Sequence, residues 1–349
     1  WLSDIILFVG KTQNEEAPMS VQDRVIVTGG SGFIGTNLID YLIRKGSDVC
    51  SVDIVEPQKK AHQKYFRHLD LLNREALTEL VLNFSPTAII HLAAKTDITE
   101  RHDIHHYDVN TIGTENVLEA INATETVERV LFTSTKLVHR NGYYPPSPEN
   151  YSPETLYGES KKIGEQSVRE YKVCKAEWCI VRPGSIWGPW FKAPYRGFFE
   201  RIIAGKYYHI PSADTPKVFG YVGNTVFQLY ALLTASPEDF HQQTYYLSDY
   251  QQFVISEWAT TIQEIAKSPP IKTLPEGFIK IAAKVGDCMQ FFGHPNPPLS
   301  SFRLKNMRTE TAGMPLEKLK AITGELPYSV KDGCSETLDW LAKPDSGAV

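Results

Sequence analysis

The chain has 349 residues, of which 42% are hydrophobic and 22% charged, and its formal net charge is −5. At roughly 150 residues per domain this length suggests about two domains, enough to bury a core without disulfide or metal staples. Acidic and basic residues are interspersed, which argues against a nucleic-acid-binding face, and no apolar run approaches the ~18 residues that would span a bilayer.

The opening stretch WLSDIILFVG lacks the basic flank and small-residue cleavage site of a signal peptide. The first methionine is Met19, so residues 1–18 read either as a genuine N-terminal extension or as a scar. Five cysteines (Cys50, Cys174, Cys179, Cys288 and Cys334) form no C-x-x-C pair. An odd count of this kind fits reduced thiols in the cytoplasm.

From Arg24 onward, short β-branched runs recur: 24–28, 48–53, 88–94, 129–134 and 178–183. Stretches with helical spacing separate them. In GFIGTNLIDYLIRKG the apolar residues Ile34, Leu38, Tyr41 and Leu42 share one face, Arg44 and Lys45 fall in the last turn, and Gly46 ends it. Residues 110–124 behave likewise. Continuous apolar strands alternating with helices predict an α/β fold, a doubly wound parallel sheet covered on both faces. Ligands bind such sheets at the carboxyl ends of the strands.

The first strand ends in TGGSGFIG. Gly29, Gly32 and Gly35 have the spacing that lets the backbone turn tightly and approach a pyrophosphate, and Phe33 and Ile34 open the helix whose N-terminus would receive it. Asp53 ends the second strand 18 residues after Gly35. Its carboxylate can accept hydrogen bonds from a ribose diol and would repel a 2′-phosphate, which favours NAD over NADP.

Further along, YGESK places Tyr157 and Lys161 four residues apart, on one face of a helix. Together with TGGSGFIG, VD, LDLLN, HLAA, NTIGTENVLEA, FTST and RPGSIWGP, in that order, this makes the chain resemble the extended short-chain dehydrogenase/reductase superfamily, in its NAD-dependent epimerase/dehydratase branch. The resemblance runs from about Arg24 to Leu341 and is looser in the C-terminal half. It implies a Rossmann-type NAD-binding domain over 19–183, a smaller substrate-binding region over 184–343 of which about 215–250 partly returns to the main sheet, and a tail at 344–349.

The resemblance also implies residue roles. Asp70 and Leu71 match an adenine-contacting pair. Ala93, Ala94 and Lys95 match the turn beside the cofactor's phosphates and ribose, and Asn110 a helix asparagine that shapes the site. Thr135, Tyr157 and Lys161 match the catalytic triad, and Arg182 and Pro183 the strand end bordering the nicotinamide. A phenol titrates near ~10; a nearby ammonium is expected to lower that value and let Tyr157 take a proton from a substrate hydroxyl.

The chain departs from the family at several points. Lys136 and Leu137 stand where sugar dehydratases carry Asp-Glu, Ser185 where an asparagine is usual, and Lys217 where an arginine is usual. Lys replaces a bidentate fork with a point charge. Arg303 reads either as a second cation for a diphosphate or as a surface arginine. Ser185, Lys217 and Arg303 are the substrate-side candidates.

The aromatic stretch 187–210 could line a pocket or form the core of a small lobe. Residues 277–293 read as a packed amphipathic helix, and 143–153 as a substrate-side loop. His102, His105 and His106 lack an evident further ligand, so no metal is expected.

The implied activity is epimerisation of a nucleotide sugar by transient hydride transfer to NAD. The alternatives are a net dehydrogenase or reductase of a hydroxylated sugar, lipid or steroid-like substrate, and a non-enzymatic NAD-sensing protein. The resemblance further implies a homodimer formed through helices near 104–122 and 156–172.

Overall fold

The computed structural model describes residues 23–98, 100–171, 176–192, 195–292, 297, 299–309 and 313–343. The possible extension at 1–18 and the tail at 344–349 lie outside the described residues. In chain order the elements are β1 (Arg24–Thr28), α1 (Phe33–Arg44), β2 (Asp48–Asp53), β3 (Phe66–His68), α2 (Arg74–Phe84), β4 (Ala88–His91), α3 (Asp108–Asn122), β5 (Arg129–Thr133), α4 (Leu156–Glu170), β6 (Glu177–Pro183) and β7 (Ser185–Trp187). Then come α5 (Tyr195–Ile203), β8 (Tyr208–His209), β9 (Phe219–Tyr221), α6 (Val222–Leu233), α7 (Pro237–Phe240), β10 (Gln243–Leu247), α8 (Ile255–Ala266), β11 (Lys272–Thr273), α9 (Glu276–Phe291), α10 (Ser301–Arg308), α11 (Glu317–Thr323) and α12 (Val330–Leu341).

Seven parallel strands form the main sheet in the order β10-β6-β5-β4-β1-β2-β3. Side chains alternate between faces along a strand, and here both faces are buried. Val25 and Val27 of β1 enter one core with Leu38, Ile39 and Leu42 of α1, whereas Ile26 enters the opposite core with Val117, Leu118 and Ile121 of α3. This double burial is why the strands read as unbroken apolar runs. The chain runs outward in both directions from β1, so β1 and β4 flank the switch point where such sheets bind ligands.

The region after β6 does not stand apart. Helix α6 packs against α1, and β10 pairs with β6 from Gln243–Cys179 to Leu247–Pro183. The rest forms a smaller lobe around a parallel pair, β7 with β9. Its core is aromatic: Trp187, Phe191, Phe199, Tyr221 and Trp258 are all buried, with ring centroids of Trp187 and Trp258 5.0 Å apart. The stretch from Trp187 is therefore lobe core at these positions.

Helix α9 differs from the expected packed helix. Ile279, Ala283 and Gly286 are buried, and the close approach is made at Gly286, where a Cβ would collide with the Leu299 carbonyl. The opposite side is apolar too, and Phe278, Ile281, Val285 and Phe291 stay exposed, Phe291 at 85%. Among the described residues no helix is long and apolar enough to cross a membrane.

Candidate active site

The turn after β1 is as narrow as the glycines allow. Gly29 has φ +71°, and a Cβ there would lie 2.6 Å from the Ala93 nitrogen; a Cβ on Gly35 would lie 2.3 Å from the Gly29 carbonyl oxygen. Gly32 caps α1 with no side-chain hydrogen bond, and among the described residues no side chain accepts from the Phe33 or Ile34 N–H. That leaves the positive end of the helix available to a phosphate. Asp53 ends β2 beside this turn and accepts from the Ser31 N–H at 3.0 Å and the Val55 N–H at 3.1 Å. A carboxylate has about four acceptor positions, so two remain for a ribose diol. This cradle fits NAD.

The other side of the cleft is built from β4 and α3. The Ala93 N–H donates to Thr28 Oγ1. Asn110, fully buried, is bonded in both directions to Lys95: the Lys95 N–H donates to its Oδ1 at 2.8 Å, and its Nδ2 donates to the Lys95 carbonyl at 2.9 Å. The same Nδ2 reaches Ser160 Oγ of α4 at 3.0 Å, and Ser160 in turn donates to the Tyr157 carbonyl. Asn110 thus pins the Ala93–Ala94–Lys95 turn to the helix that carries Tyr157 and Lys161. Asp70 and Leu71 follow β3; Asp70 accepts from the Leu72 N–H, and Leu71 is buried with its carbonyl accepting from Asn116.

Thr135, Tyr157 and Lys161 are all buried. Thr135 follows β5, and Tyr157 sits in the first turn of α4, which Thr155 caps by accepting from the Gly158 N–H. The Thr135 hydroxyl lies close enough to the Tyr157 phenol to favour its ionised form. Burial pushes Tyr157 up to about 12, and the Thr135 hydroxyl offsets part of that rise. Burial pulls Lys161 down to about 8, against the attraction of Glu165. Burial thus acts on Tyr157 in the direction opposite to the lowering expected from a nearby ammonium.

Arg182 lies at the end of β6, as the resemblance places it, and its side chain turns into the protein. It is fully buried and grips Glu165 of α4, with Nη1 also on His139 at 2.8 Å and on the Tyr246 hydroxyl at 3.2 Å. Its Nη2 donates to the Pro148 carbonyl, and Tyr151 donates to Glu165, so the 143–153 loop is tied down by this network. Pro183, one residue on, ends β6 and pairs with Leu247. Sequence reading missed Ser160, Glu165 and Tyr107. Tyr107 is fully buried, with its ring 6.2 Å from that of Tyr157. For Glu165 a signal existed, since it repeats the four-residue step from Tyr157 to Lys161.

On the substrate side, Ser185 opens β7 and its hydroxyl lies near the Tyr195 phenol. Lys217 lies just before β9, is buried, and donates to the Thr309 carbonyl at 2.5 Å. Since Ser185 pairs in register with Phe219, the two candidates share one sheet edge. Arg303 falls on α10, and its side chain lies outside the described residues. Of the histidine cluster, His105 pairs with Asp108 at 3.2 Å, and His106 with Lys95 and Asp97.

A family model described as "NAD dependent epimerase/dehydratase family" matches residues 25–235. A 3-beta-hydroxysteroid dehydrogenase of Mycolicibacterium neoaurum is 32% identical over 193 residues, 52% of this chain and 52% of that relative, so the match spans about half of its length. An N-acetyl-alpha-D-glucosaminyl-diphospho-ditrans,octacis-undecaprenol 4-epimerase of Escherichia coli O157:H7 is 24% identical over 326 residues, 92% of this chain and 96% of that one. Among solved structures, a UDP-glucose 4-epimerase from Thermotoga maritima with UDP-glucose superposes with a TM-score of 0.71 at 20% identity, over 91% of this chain and 98% of that chain. A UDP-glucose 4-epimerase from Thermus thermophilus in complex with NAD gives 0.69 at 21% identity, over 93% of this chain and 100% of that chain. These structural likenesses show the shared fold.

Proposed function

The chain belongs to the NAD dependent epimerase/dehydratase family, and on that premise we propose that it is an NAD-dependent epimerase of a nucleotide sugar. The observation that carries this reading is the burial together of Thr135, just past the end of β5, and of Tyr157 and Lys161, one turn apart on α4. When bound, NAD supplies the hydride acceptor. Tyr157 takes the proton of a ring hydroxyl. Thr135 donates to the same oxygen as negative charge grows on it. Lys161, still protonated at neutral pH with a value of about 8, favours the phenolate electrostatically and lies where the nicotinamide ribose would sit. The diphosphate falls to Lys217 and Ser185.

The nearly full-length likeness to a 4-epimerase favours inversion over net oxidation. The second reading, a dehydrogenase or reductase of a hydroxylated lipid or steroid-like substrate, draws on the 32% identity of one relative over half its length. One experiment separates them: incubate the protein with catalytic NAD and UDP-glucose, UDP-galactose or their N-acetyl forms. Interconversion without net NADH supports the epimerase; stoichiometric NADH with release of a ketone supports the dehydrogenase, and neither outcome with any nucleotide sugar removes the epimerase reading.

We place the protein in the cytoplasm, which the buried free thiols Cys50, Cys179 and Cys334 support. We also propose a homodimer through the packed helices α3 and α4, where Ile112 of α3 is left exposed. Sedimentation at micromolar concentration showing a monomer would remove that part.

A further inference from the structure

His91 ends β4, and its side chain is buried. The ring stands between two threonines. Its Nδ1 lies 2.8 Å from Oγ1 of Thr28, the residue that pairs with His91 in register between β1 and β4. Its Nε2 lies 3.2 Å from Thr114 Oγ1 of α3. Both threonines are buried, and each makes one further bond. Thr28 Oγ1 accepts from the Ala93 N–H at 3.3 Å, and Thr114 Oγ1 donates to the Asn110 carbonyl at 2.9 Å. A continuous chain therefore runs through Ala93, Thr28, His91, Thr114 and Asn110.

The chain has a single direction, because a hydroxyl has one proton to give. Thr114 gives its proton to the Asn110 carbonyl, so it can only accept from His91, and Nε2 carries the ring proton. Nδ1 is then bare and takes the Thr28 proton. With the ring proton on Nδ1 instead, Nε2 would compete with the Asn110 carbonyl for the Thr114 proton, and the Thr28 proton would lose its acceptor. A charged ring would fail at Thr28 in the same way. Burial first, and the Lys161 charge second, pull His91 down to about 3, so the ring is neutral at pH 7.

The two ends of this chain are the two walls of the cofactor cleft. Thr28 immediately precedes Gly29, whose turn leaves no room for a Cβ against Ala93. Asn110 holds the Lys95 main chain and Ser160 of α4. Helix α4 approaches so closely that a Cβ on Gly164 would lie 2.8 Å from the Asn110 carbonyl oxygen, the one that Thr114 bonds. The first wall is the cradle for the pyrophosphate of NAD, and the second is fastened to the helix that carries Tyr157 and Lys161. We infer that His91 is a positioning residue of the cofactor site, a two-ended spacer that holds the glycine turn and the Asn110 clamp at the separation NAD requires. Histidine suits the task because its rigid ring presents a bare nitrogen on one edge and an N–H on another. His91 touches neither cofactor nor substrate, and its role depends on NAD and not on which substrate is turned over.

Two measurements test this. The first is nitrogen NMR of the histidine-labelled, NAD-free protein at pH 7, with the His91 signals identified by their absence from His91→Asn. A neutral ring protonated at Nε2 is expected; a ring protonated at Nδ1, or a charged one, overturns the inference. The second is calorimetric titration of NAD into wild type, His91→Leu, His91→Asn and Thr114→Val, with the thermal midpoint of each as a check on folding. His91→Leu loses both ring bonds and should bind NAD about tenfold more weakly. Thr114→Val cuts only the far bond and should bind it about threefold more weakly. His91→Asn, whose amide oxygen can take the Thr28 proton, should bind more tightly than His91→Leu, and no difference between these two overturns the inference. A role in stability alone would lower the midpoints and leave NAD affinity unchanged. Affinity within about twofold of wild type in folded His91→Leu therefore overturns the inference, and where His91→Leu does not fold, Thr114→Val decides by the same criterion.

Discussion

Arg182 at the end of β6 and Glu165 in the third turn of α4 form a buried, two-pronged ion pair, Nε to Oε1 at 2.8 Å and Nη2 to Oε2 at 2.6 Å. Glu165 lies four residues after Lys161, and its charge is what holds the Lys161 value up against burial. The pair thus ties the last sheet strands and the 143–153 loop to the helix that presents Tyr157.

Glu165→Gln leaves the Arg182 guanidinium buried without a counter-charge, and breaking such a pair costs about 3–5 kcal/mol. Replacing both residues with apolar side chains of similar volume should recover much of this loss. Denaturant midpoints of the single and double variants check it; a single variant within about 1 kcal/mol of wild type would mean the pair is relieved by solvent.

Tyr157→Phe keeps the ring and removes the oxygen that moves the proton. Turnover should fall below about a tenth of wild type, consistent with the 10²–10⁴-fold contribution of a positioned acid or base, while NAD affinity stays within a few-fold. Lys161→Ala should weaken both. Steady-state rates and NAD titration measure the two effects separately.

Lys136 gives a pH signature in the ligand-free protein. Its folded value of about 8 lies below the unfolded value near ~10.4, so its charge destabilises the fold. The penalty is complete below pH 8 and disappears as pH rises from about 8 to ~10.5. Lys136→Met should therefore exceed wild type in stability at pH 7 by on the order of 1–3 kcal/mol, and the gap should narrow across that window. A gap independent of pH, read from denaturation curves at pH 7 and 10, contradicts the assignment.

NAD should bind more tightly than NADP. The Asp53 carboxylate, already fixed by the Ser31 and Val55 N–H groups, would meet a 2′-phosphate with like charge. Calorimetry with both cofactors decides it, and equal or tighter NADP binding would refute it.

Dehydration of a 4-keto sugar needs a base and an acid within hydrogen-bond reach of the leaving hydroxyl and its neighbouring carbon. Leu137 can be neither. UDP-glucose or dTDP-glucose with enzyme and NAD should yield no product lighter by one water in mass spectra. An enzyme-dependent loss of water would show that another residue supplies the acid.

Local patterns marked much of this protein. The strands β1, β2, β4, β5 and β6 read as apolar runs because both sheet faces are buried. Helix α1 was legible from its stripe and from Gly46, whose φ of +87° ends it. The three residues of β3 and β7 are too short to show a period, and their extended form comes from pairing with β2 and β9.

The sequence by itself determined the parallel sheet, the glycine turn with Asp53, and the presence of Thr135, Tyr157 and Lys161 in the right order, since each depends on residues close together in the chain. The tertiary structure decided what these groups are worth. Only folding brings Arg182 onto Glu165 across 17 residues and buries Tyr157 and Lys161 so deeply that desolvation moves the phenol up and the ammonium down. Contact between distant segments and exclusion of water are properties of the packed chain, and no local pattern encodes them.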